Sequence, residues 1–285
     1  MRRVIKSMAG CLMALFVFLI VLCMLYPPAF LLGGSLKSMD ELGRSLGILW
    51  DNSAGFSWSF LPKEPTLRHY LELLLDSPGY FVMFWNSVKV VAGVVFGQLL
   101  VGVPAAWAFA RYDFSGKKIL LSLYIALMLF PFQVLMLSEY LVLNRVKLID
   151  TLWALILPGI FSTFPVFIMH RFFAKVPKVL IETAMLDGAN EFQIFWHIGI
   201  AVGRPGIMSV IVLGVLEYWN LIEQPAVFLR SEYLRPLSLY MSSVTKENIG
   251  SAFVAAVVAL VPPLLCFLWG REYLEEGIAK SAIKD

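Results

Sequence analysis

Amide and carboxylate side chains lie inside the long apolar segments of this sequence. The chain has 285 residues, of which 59% are hydrophobic and only 15% are charged, so each polar group in these segments needs a partner or contact with water. A carboxamide offers donors and an acceptor to the hydroxyl groups of an uncharged solute, and an indole offers an apolar face. We interpret five side chains as candidates to line a path for such a solute: Gln98, Gln133, Glu217, Trp219 and Asn220. The alternative for the amide and carboxylate side chains is that they hydrogen-bond between neighbouring helices or, near the end of a span, contact interfacial water.

No arrangement of residues in the sequence predicts catalysis or metal binding. The three histidines, His69, His170 and His197, are isolated, and no Cys or His pair has the spacing of metal ligands. Residues 115–118 (SGKK) lack the earlier glycine and the Ser or Thr of a phosphate-binding loop. We therefore expect a protein that is not an enzyme and binds no cofactor itself. The net charge of +3 is too small to favour a nucleic-acid partner.

Six segments are long and apolar enough to cross a membrane. A bilayer core of about 30 Å requires about 20 residues of helix, because a helix satisfies its backbone polar groups internally. The sequence therefore predicts an all-α, polytopic membrane protein in which residues 1–285 form one integral membrane domain. Pro104 and Pro131 are expected to interrupt their helices. The predicted spans are 9–32, 84–110, 119–143, 152–172, 205–222 and 251–270.

The distribution of lysine and arginine predicts the orientation of these spans. The segments 1–8, 111–118, 171–204 and 271–285 hold 13 basic residues in 65 positions, whereas the alternate segments hold 9 in 87. By the positive-inside rule the first set is cytoplasmic, which places both termini and the polar loop 173–204 in the cytosol. Residues 33–83 then form an extracytoplasmic loop, with a short helix predicted near residues 67–75.

The polar loop 173–204 has the pattern of two helices joined by a glycine. Apolar residues recur on one side of the sequence KVLIETAML, and Asp187-Gly188 ends this first helix because glycine adopts the left-handed conformation without strain. Asn190 and Gln193 have the spacing of a capping box at the start of a second amphipathic helix. Periodicity alone leaves two interpretations open: a hairpin that covers the spans at the membrane surface, or an element that docks another protein.

The order of residues in this loop resembles the EAA loop of ABC importer permeases. The family pattern runs Glu-Ala-Ala, three residues, Gly, nine residues and Ile-x-Leu-Pro; here Glu182-Thr183-Ala184 precedes Gly188, and Ile198 follows. In that family the loop is the coupling helix, which sits in a cleft of the cytoplasmic ATPase and passes nucleotide-driven motion to the membrane helices. The resemblance implies that the ATPase-coupling residues are Glu182, Thr183, Ala184, Asp187, Gly188 and Ala189.

Two positions of the loop differ from the family pattern. Thr183 stands where the first alanine is usual, and its small side chain is expected to preserve close packing. Ala201 stands where the closing proline is usual, and we expect Pro205 to mark the start of the fifth span instead.

Further matches to the same family occur in order over residues 84–285. They are Trp107-Ala108-Phe109-Ala110-Arg111, Phe130-Pro131, Leu148-Ile149-Asp150-Thr151, Trp219-Asn220 and the tail from Gly277 to Lys284, in which Ser281 stands where glycine is usual. With the EAA loop, they make the chain similar to the maltose-type permeases of carbohydrate ABC importers, in the six-span branch. The loop 33–83 matches that family poorly.

The resemblance implies a function and a set of partners. The chain would be a permease subunit that forms the translocation path for a sugar or oligosaccharide in the inner membrane of a prokaryote. Its partners would be a second homologous permease, two ATPase subunits that hold ATP and magnesium, an extracytoplasmic solute-binding protein and membrane lipid. The alternative is a secondary transporter or channel for a small polar solute, against which the scarcity of deep acidic residues argues.

Overall fold

The described part of the chain is built from helices. The computed structural model describes residues 2–47, 59 and 61–282, so residues 48–58 and 60 of the predicted loop 33–83 lie outside the described residues. The α-helices are α1 (Arg2–Ser35), α2 (Met39–Leu46), α3 (Arg68–Asp76), α4 (Pro78–Arg111), α5 (Lys117–Met128), α6 (Phe132–Arg145), α7 (Trp153–Ile160), α8 (Thr163–Phe173), α9 (Lys178–Leu186), α10 (Glu191–Ile194), α11 (Ile200–Trp219), α12 (Glu223–Phe228) and α13 (Ile249–Ala282). A π-helical turn at Phe195–Gly199 joins α10 to α11, and 3₁₀ turns lie at Glu232–Leu234 and Leu237–Ser243.

In the part of the chain that the structure describes, five helical stretches are long and apolar enough to cross a membrane. They are Leu12–Ser35, Pro78–Arg111, Trp153–Phe173, Glu191–Trp219 and Ile249–Glu275. Within the described ranges the count becomes six if the bent pair α5 and α6 is one span. The predicted all-α, polytopic membrane class is therefore confirmed, with five to six candidate spans.

The third predicted span, 119–143, is not one straight helix. It consists of α5 and α6, which are bent by 103° at a break between Met128 and Phe132. Pro131 is the residue before α6 and takes an extended conformation, with φ −67° and ψ 144°. Because proline disfavours the helical region for the residue before it, Pro131 breaks the span as predicted. The same prediction is wrong for Pro104, which lies inside the uninterrupted helix α4.

Two predicted helix boundaries also differ from the structure. The second span was predicted to begin at residue 84, but α4 begins at Pro78, a residue type suited to the first helical position because its missing N–H has no helical partner there. The fifth span was predicted to reach residue 222, but α11 ends at Trp219. The short helix predicted near residues 67–75 is confirmed as α3, Arg68–Asp76.

The chain divides into two compact units, and the prediction of a single domain over residues 1–285 stays a prediction. The first unit comprises Met1–Tyr80 and Met241–Leu260. Its apolar cluster contains Leu42, Ile249 and Phe253, and the ring of Phe253 lies so close to Gly34 that a Cβ atom there would be 2.4 Å from it. Glycine therefore allows the end of α1 to approach this part of α13 closely.

The second unit comprises Phe81–Tyr240 and Val261–Asp285 and contains the polar loop. Helices α4 and α7 approach each other at Gly97, where an added Cβ atom would lie 2.3 Å from Ile160. Helix α13 approaches α11 at Gly270, where a Cβ atom would lie 2.1 Å from Val212. Small residues thus permit the close helix packing on which membrane bundles depend.

A carboxylate connects the turn after α6 to the segment after α12 in the second unit. Asp150 accepts hydrogen bonds from the backbone N–H groups of Arg230 and Ser231 at 2.9 and 2.8 Å and from the Ser231 hydroxyl at 2.5 Å. Its own N–H donates to the carbonyl of Phe228 at 2.9 Å. The Ser231 hydroxyl, with the two N–H groups, lowers the pKa of Asp150 below its ordinary value of 3.8.

We expect Asp150→Asn to destabilise the protein in a pH-dependent way, because an amide cannot accept all three of these hydrogen bonds with the strength of a carboxylate. A depressed folded-state pKa stabilises the fold fully above the unfolded-state pKa, and this contribution is lost as the pH falls through the lower folded-state value. The thermal midpoint of wild type in detergent should therefore exceed that of the variant by a constant amount between about pH 5 and about pH 8, where the carboxyl is ionised. The difference should shrink below about pH 4; a difference that did not change there would contradict the assignment.

Candidate functional site

Helix α9 in the polar loop presents an exposed face of mixed chemistry. Ile181 is 2% exposed and faces the core, whereas Val179 and Leu186 are 69% and 88% exposed. Positions 179, 182 and 186 lie three or four residues apart, so Glu182 stands between these two apolar side chains on the outer face. Glu182 is exposed as well. Apolar side chains around a carboxylate form the kind of surface that a protein partner covers.

Helix α9 ends as the sequence predicts, at a left-handed glycine. Gly188 has φ +85°, and its N–H donates to the carbonyl of Met185 at 3.0 Å. The N–H of Ala189 donates to the carbonyl of Ala184 at 2.9 Å. These two bonds form a Schellman motif, which satisfies the terminal carbonyls and turns the chain sharply after Asp187.

The start of the second helix is also confirmed, but its end is not where the sequence predicts. Asn190 and Gln193 form a capping box, with both hydrogen bonds at 2.9 Å. The helix then continues through the π-helical turn into α11, so residues Glu191–Trp219 are one stretch. The expectation that Pro205 begins the fifth span is wrong, since Pro205 lies inside α11. Ala201 supplies the backbone N–H that a proline would lack, so nothing stops the helix there.

An apolar cluster anchors the polar loop to the membrane helices of the same unit. Trp107 of α4 packs edge-to-face on Phe173 of α8, with ring centroids 5.6 Å apart, and lies 5.9 Å from Phe195 in the π-helical turn. A Cβ atom on Gly199 would be 2.8 Å from the Trp107 ring. The same cluster includes Ile181, Ile194, Ala184 and Ala189 of the loop. The inner side of α9 is therefore fixed to α4 and α8, while its outer face is exposed.

An open depression of about 380 Å³ lies between α9 and the following helix. Its volume is in the range of sites that accept a ligand or several partner side chains. It is lined by Ala184, Asp187, Gly188, Ala189, Gln193, Ile194, His197 and Ile198. Four of the six residues predicted for coupling therefore border one concave surface, and Glu182 and Thr183 lie on α9 beside it. The Thr183 hydroxyl donates to the carbonyl of Val179 at 2.8 Å, so this departure from the family pattern adds no unsatisfied polar group.

Two of the five candidates to line a solute path are buried within the helix packing. Gln98 is 2% exposed, and its side-chain amide donates to the carbonyl of Gly159 at 2.9 Å and to the Tyr218 hydroxyl at 3.3 Å. Trp219 is 6% exposed and packs edge-to-face on Phe84. Both side chains therefore connect helices in this conformation, as the alternative interpretation predicts for Gln98.

The other three candidates are exposed at the ends of helices. Gln133 lies in the first turn of α6, just after the break in the third span, and its amide donates to both carboxylate oxygens of Glu223 at 2.7 and 2.8 Å. Asn220 follows α11 and donates to the carbonyl of Leu216 at 2.8 Å, and Glu217 lies one turn earlier. Carbonyl and carboxylate oxygens that remain available on these side chains can accept hydrogen bonds from hydroxyl groups.

Sequence reasoning did not identify Glu223 as the partner of Gln133. The two residues are 90 positions apart, and Gln133 lies just after the break between α5 and α6. One feature of the sequence could have indicated Glu223 as a candidate. It is the carboxylate in the Glu-Gln-Pro sequence at the start of α12, which directly follows an apolar helix. Among the residues that the structure describes, no group of three or more His, Cys, Asp or Glu side chains is arranged to hold a metal ion.

Comparison with known families gives one match that covers most of the chain. Residues 98–280 match the family described as "Binding-protein-dependent transport system inner membrane component". This range contains the whole polar loop and all the candidate path residues.

Individual proteins with similar sequences are permeases of bacterial transport systems. The chain is 29% identical over 275 residues to the arabinooligosaccharides transport system permease protein AraQ of Bacillus subtilis, covering 95% of each chain. It is 26% identical over 254 residues to the galactooligosaccharides transport system permease protein GanQ of Bacillus subtilis, covering 83% of this chain and 89% of that protein. It is 26% identical over 234 residues to the inner membrane ABC transporter permease protein YcjP of Escherichia coli, covering 79% and 83%.

A solved structure has the same fold. It is a bacterial ABC transporter involved in the import of the acidic polysaccharide alginate, and one of its chains superposes with a TM-score of 0.75 at 19% sequence identity. The superposition covers 98% of this chain and 97% of that chain. At this level of identity the likeness concerns the fold.

Proposed function

Because this chain belongs to the family of binding-protein-dependent transport system inner membrane components, we propose that it forms part of the translocation path for a sugar or oligosaccharide. It is a multi-pass permease subunit of an ABC importer in the inner membrane and is not itself an enzyme. Membership implies partners of three kinds: a solute-binding protein, an ATPase and a permease. A secondary transporter or channel is therefore not the function that we propose.

Two observations support a saccharide as the solute. AraQ and GanQ are named for the transport of arabinooligosaccharides and galactooligosaccharides, and they align with most of this chain. Gln133, Asn220 and Glu223 present amide and carboxylate groups where the third span breaks and where α11 ends. Such groups suit the hydroxyls of an oligosaccharide.

The proposal that α9 couples this chain to an ATPase rests on the exposed face of the helix. Val179 and Leu186 are 69% and 88% exposed, and a bound partner would cover both side chains. Glu182, which lies between them, would then face a cationic group of the partner. We propose that this face docks in a cleft of the ATPase subunit. The ATPase subunit, and not this chain, binds ATP and magnesium. The complex would contain two ATPase subunits and a second homologous permease, with both termini of this chain in the cytosol.

We propose that transport depends on two conformations, inward-facing and outward-facing, which bind ATP and the solute-loaded binding protein with different affinities. ATP favours the closed ATPase dimer, and closure draws the coupling helices of the two permeases together. Because the inner side of α9 is fixed to α4 and α8 through Trp107 and Phe173, movement of α9 moves these helices too. The solute-loaded binding protein and ATP both favour the outward-facing state, and ATP hydrolysis releases it.

We expect Asn220→Ala to weaken solute transport without affecting assembly. The substitution removes an exposed amide whose side-chain oxygen has no partner inside the described part of the chain. Loss of one hydrogen bond to a solute hydroxyl should raise the KM for uptake about fivefold, the factor that corresponds to about 1 kcal/mol. Asn144→Ala, at an exposed amide near the end of α6, is the matched control and should transport normally. An unchanged KM in Asn220→Ala would remove this residue from the path.

The function itself is tested with the complete importer in proteoliposomes. We expect uptake of a neutral oligosaccharide captured by the binding protein to require ATP on the side of the membrane where the ATPase is bound. Uptake that continued at the same rate without the ATPase subunit would contradict the proposal. Stimulation of ATP hydrolysis by the loaded binding protein provides a second readout of the same coupling.

A further inference from the structure

The turn between α4 and α5 contacts the polar loop through a hydrogen bond. The Tyr112 hydroxyl donates to Oε2 of Glu191 at 2.8 Å. Glu191 is the first residue of α10, three positions after the left-handed Gly188. The two residues are 79 positions apart in the sequence, so the bond connects separate segments of the second unit.

This turn is tied firmly to the first residue of α5. The ammonium group of Lys117 donates to the carbonyl of Tyr112 at 2.9 Å and to a carboxylate oxygen of Asp113 at 3.0 Å. Gly116 takes the left-handed conformation with φ +86°, and the N–H of Lys117 donates to the carbonyl of Phe114 at 3.2 Å. Tyr112 is therefore held at a fixed position relative to the start of α5.

The covalent connections of the polar loop run to other helices. Residues 174–177 join α9 to α8, and α10 continues through the π-helical turn into α11. Helix α5 packs against the apolar cluster around Trp107 through two partly buried side chains, Leu121 and Tyr124. Apolar contacts are non-directional, whereas a hydrogen bond fixes both distance and direction.

The protonation state of Tyr112 suits a lasting bond. Burial, and then the neighbouring Glu191 carboxylate, raise the pKa of Tyr112 above its ordinary value of 10.0. The hydroxyl therefore keeps its proton at physiological pH and remains a hydrogen-bond donor to Glu191.

We propose that Tyr112 is a positioning residue that transmits movement of the polar loop, residues 173–204, to α5. The proposal rests on the proposed function, because it assumes that α9 is moved by an ATPase. Helix α5 is 12 residues long and ends at the break before α6, where Gln133 contacts Glu223. Tyr112 would thus connect the loop to the broken span by a route separate from α8 and α11.

The test compares Tyr112→Phe with wild type in the complete importer with its binding protein, reconstituted in proteoliposomes. Tyr112→Phe removes the hydroxyl and keeps the ring. We expect the number of ATP molecules hydrolysed per solute imported to rise about fivefold, the factor expected for one net hydrogen bond. The ATPase subunit should remain bound, because Tyr112 is not on the exposed face of α9.

Three further variants distinguish transmission from a structural effect. Glu191→Ala should behave as Tyr112→Phe does, and the double variant should be no worse than either single one. Glu191→Gln should restore coupling to within about twofold, because an amide oxygen still accepts from the hydroxyl. Tyr233→Phe, which removes an exposed hydroxyl from the 3₁₀ turn at Glu232–Leu234, is the matched control and should couple normally.

The outcomes separate this inference from the proposed function. If wild type imports solute with ATP and Tyr112→Phe keeps the normal coupling ratio, the inference is overturned and the proposed function stands. Loss of the ATPase subunit from Tyr112→Phe would also overturn it, since the residue would then serve assembly. If wild type shows no ATP-dependent import, the proposed function fails first.

Discussion

Gly188→Val should reduce solute-stimulated ATP hydrolysis and uptake by at least about tenfold, while the chain still inserts into the membrane. Gly188 has φ +85°, and a Cβ atom at this position would meet no atom within 4 Å. The effect therefore comes from the backbone, because a residue with a side chain is about 1–2 kcal/mol less stable in the left-handed region and a β-branched one is less stable still. Relief of this strain would unwind the end of α9 and displace its exposed face from the ATPase.

Gly188→Asn is the matched control for this prediction. Asparagine adds a side chain of similar size to valine but tolerates the left-handed conformation. Since the space around Gly188 is open, Gly188→Asn should retain most of the coupled activity. Normal solute-stimulated hydrolysis in Gly188→Val would show that the turn after α9 does not position a docking surface.

Glu182→Lys should release the ATPase subunit. The Glu182 carboxylate is exposed between Val179 and Leu186, which are exposed as well. A partner that binds this face is expected to offer a cation to the carboxylate, so a lysine would place like charges together and would weaken attachment by at least about tenfold. The measurement is the amount of ATPase that copurifies with the tagged permease at several salt concentrations.

Glu182→Gln keeps the shape of the side chain and removes its charge. We expect it to lose less ATPase than Glu182→Lys, with a smaller dependence on salt, because the repulsive contact is absent. Equal copurification of wild type, Glu182→Gln and Glu182→Lys would mean that the carboxylate does not face the ATPase.

Local sequence signals predicted the loop between the fourth and fifth spans well. A left-handed turn at Gly188 and a capping box at Asn190 and Gln193 each depend on a few adjacent residues, so the pattern is visible in one short stretch. The continuation of α10 into α11 is not predicted by the sequence, because a proline such as Pro205 is expected to mark a helix boundary. A proline inside a membrane helix costs one hydrogen bond and is tolerated when neighbouring groups compensate.

Contacts between distant segments were beyond the reach of the sequence. Gln98 was a candidate for the solute path because it lies in the middle of a span, but its side chain is buried against Gly159 and Tyr218. Hydropathy assigns a residue to a span and says nothing of which face it occupies. The contact of Gln133 with Glu223 could not be predicted either, since the two residues are 90 positions apart in the sequence.

The most direct measurement is the accessibility of a single cysteine placed at Leu186. This residue is 88% exposed at the end of α9, and the native Cys11, Cys23 and Cys266 would first be replaced by serine. A membrane-impermeant maleimide should label Leu186→Cys in inside-out vesicles stripped of the ATPase, and re-addition of the ATPase should block labelling. The reagent should not reach it in intact cells or right-side-out vesicles. Labelling from the outside, or labelling that the ATPase does not affect, would contradict the assignment of α9 as the element that the ATPase holds.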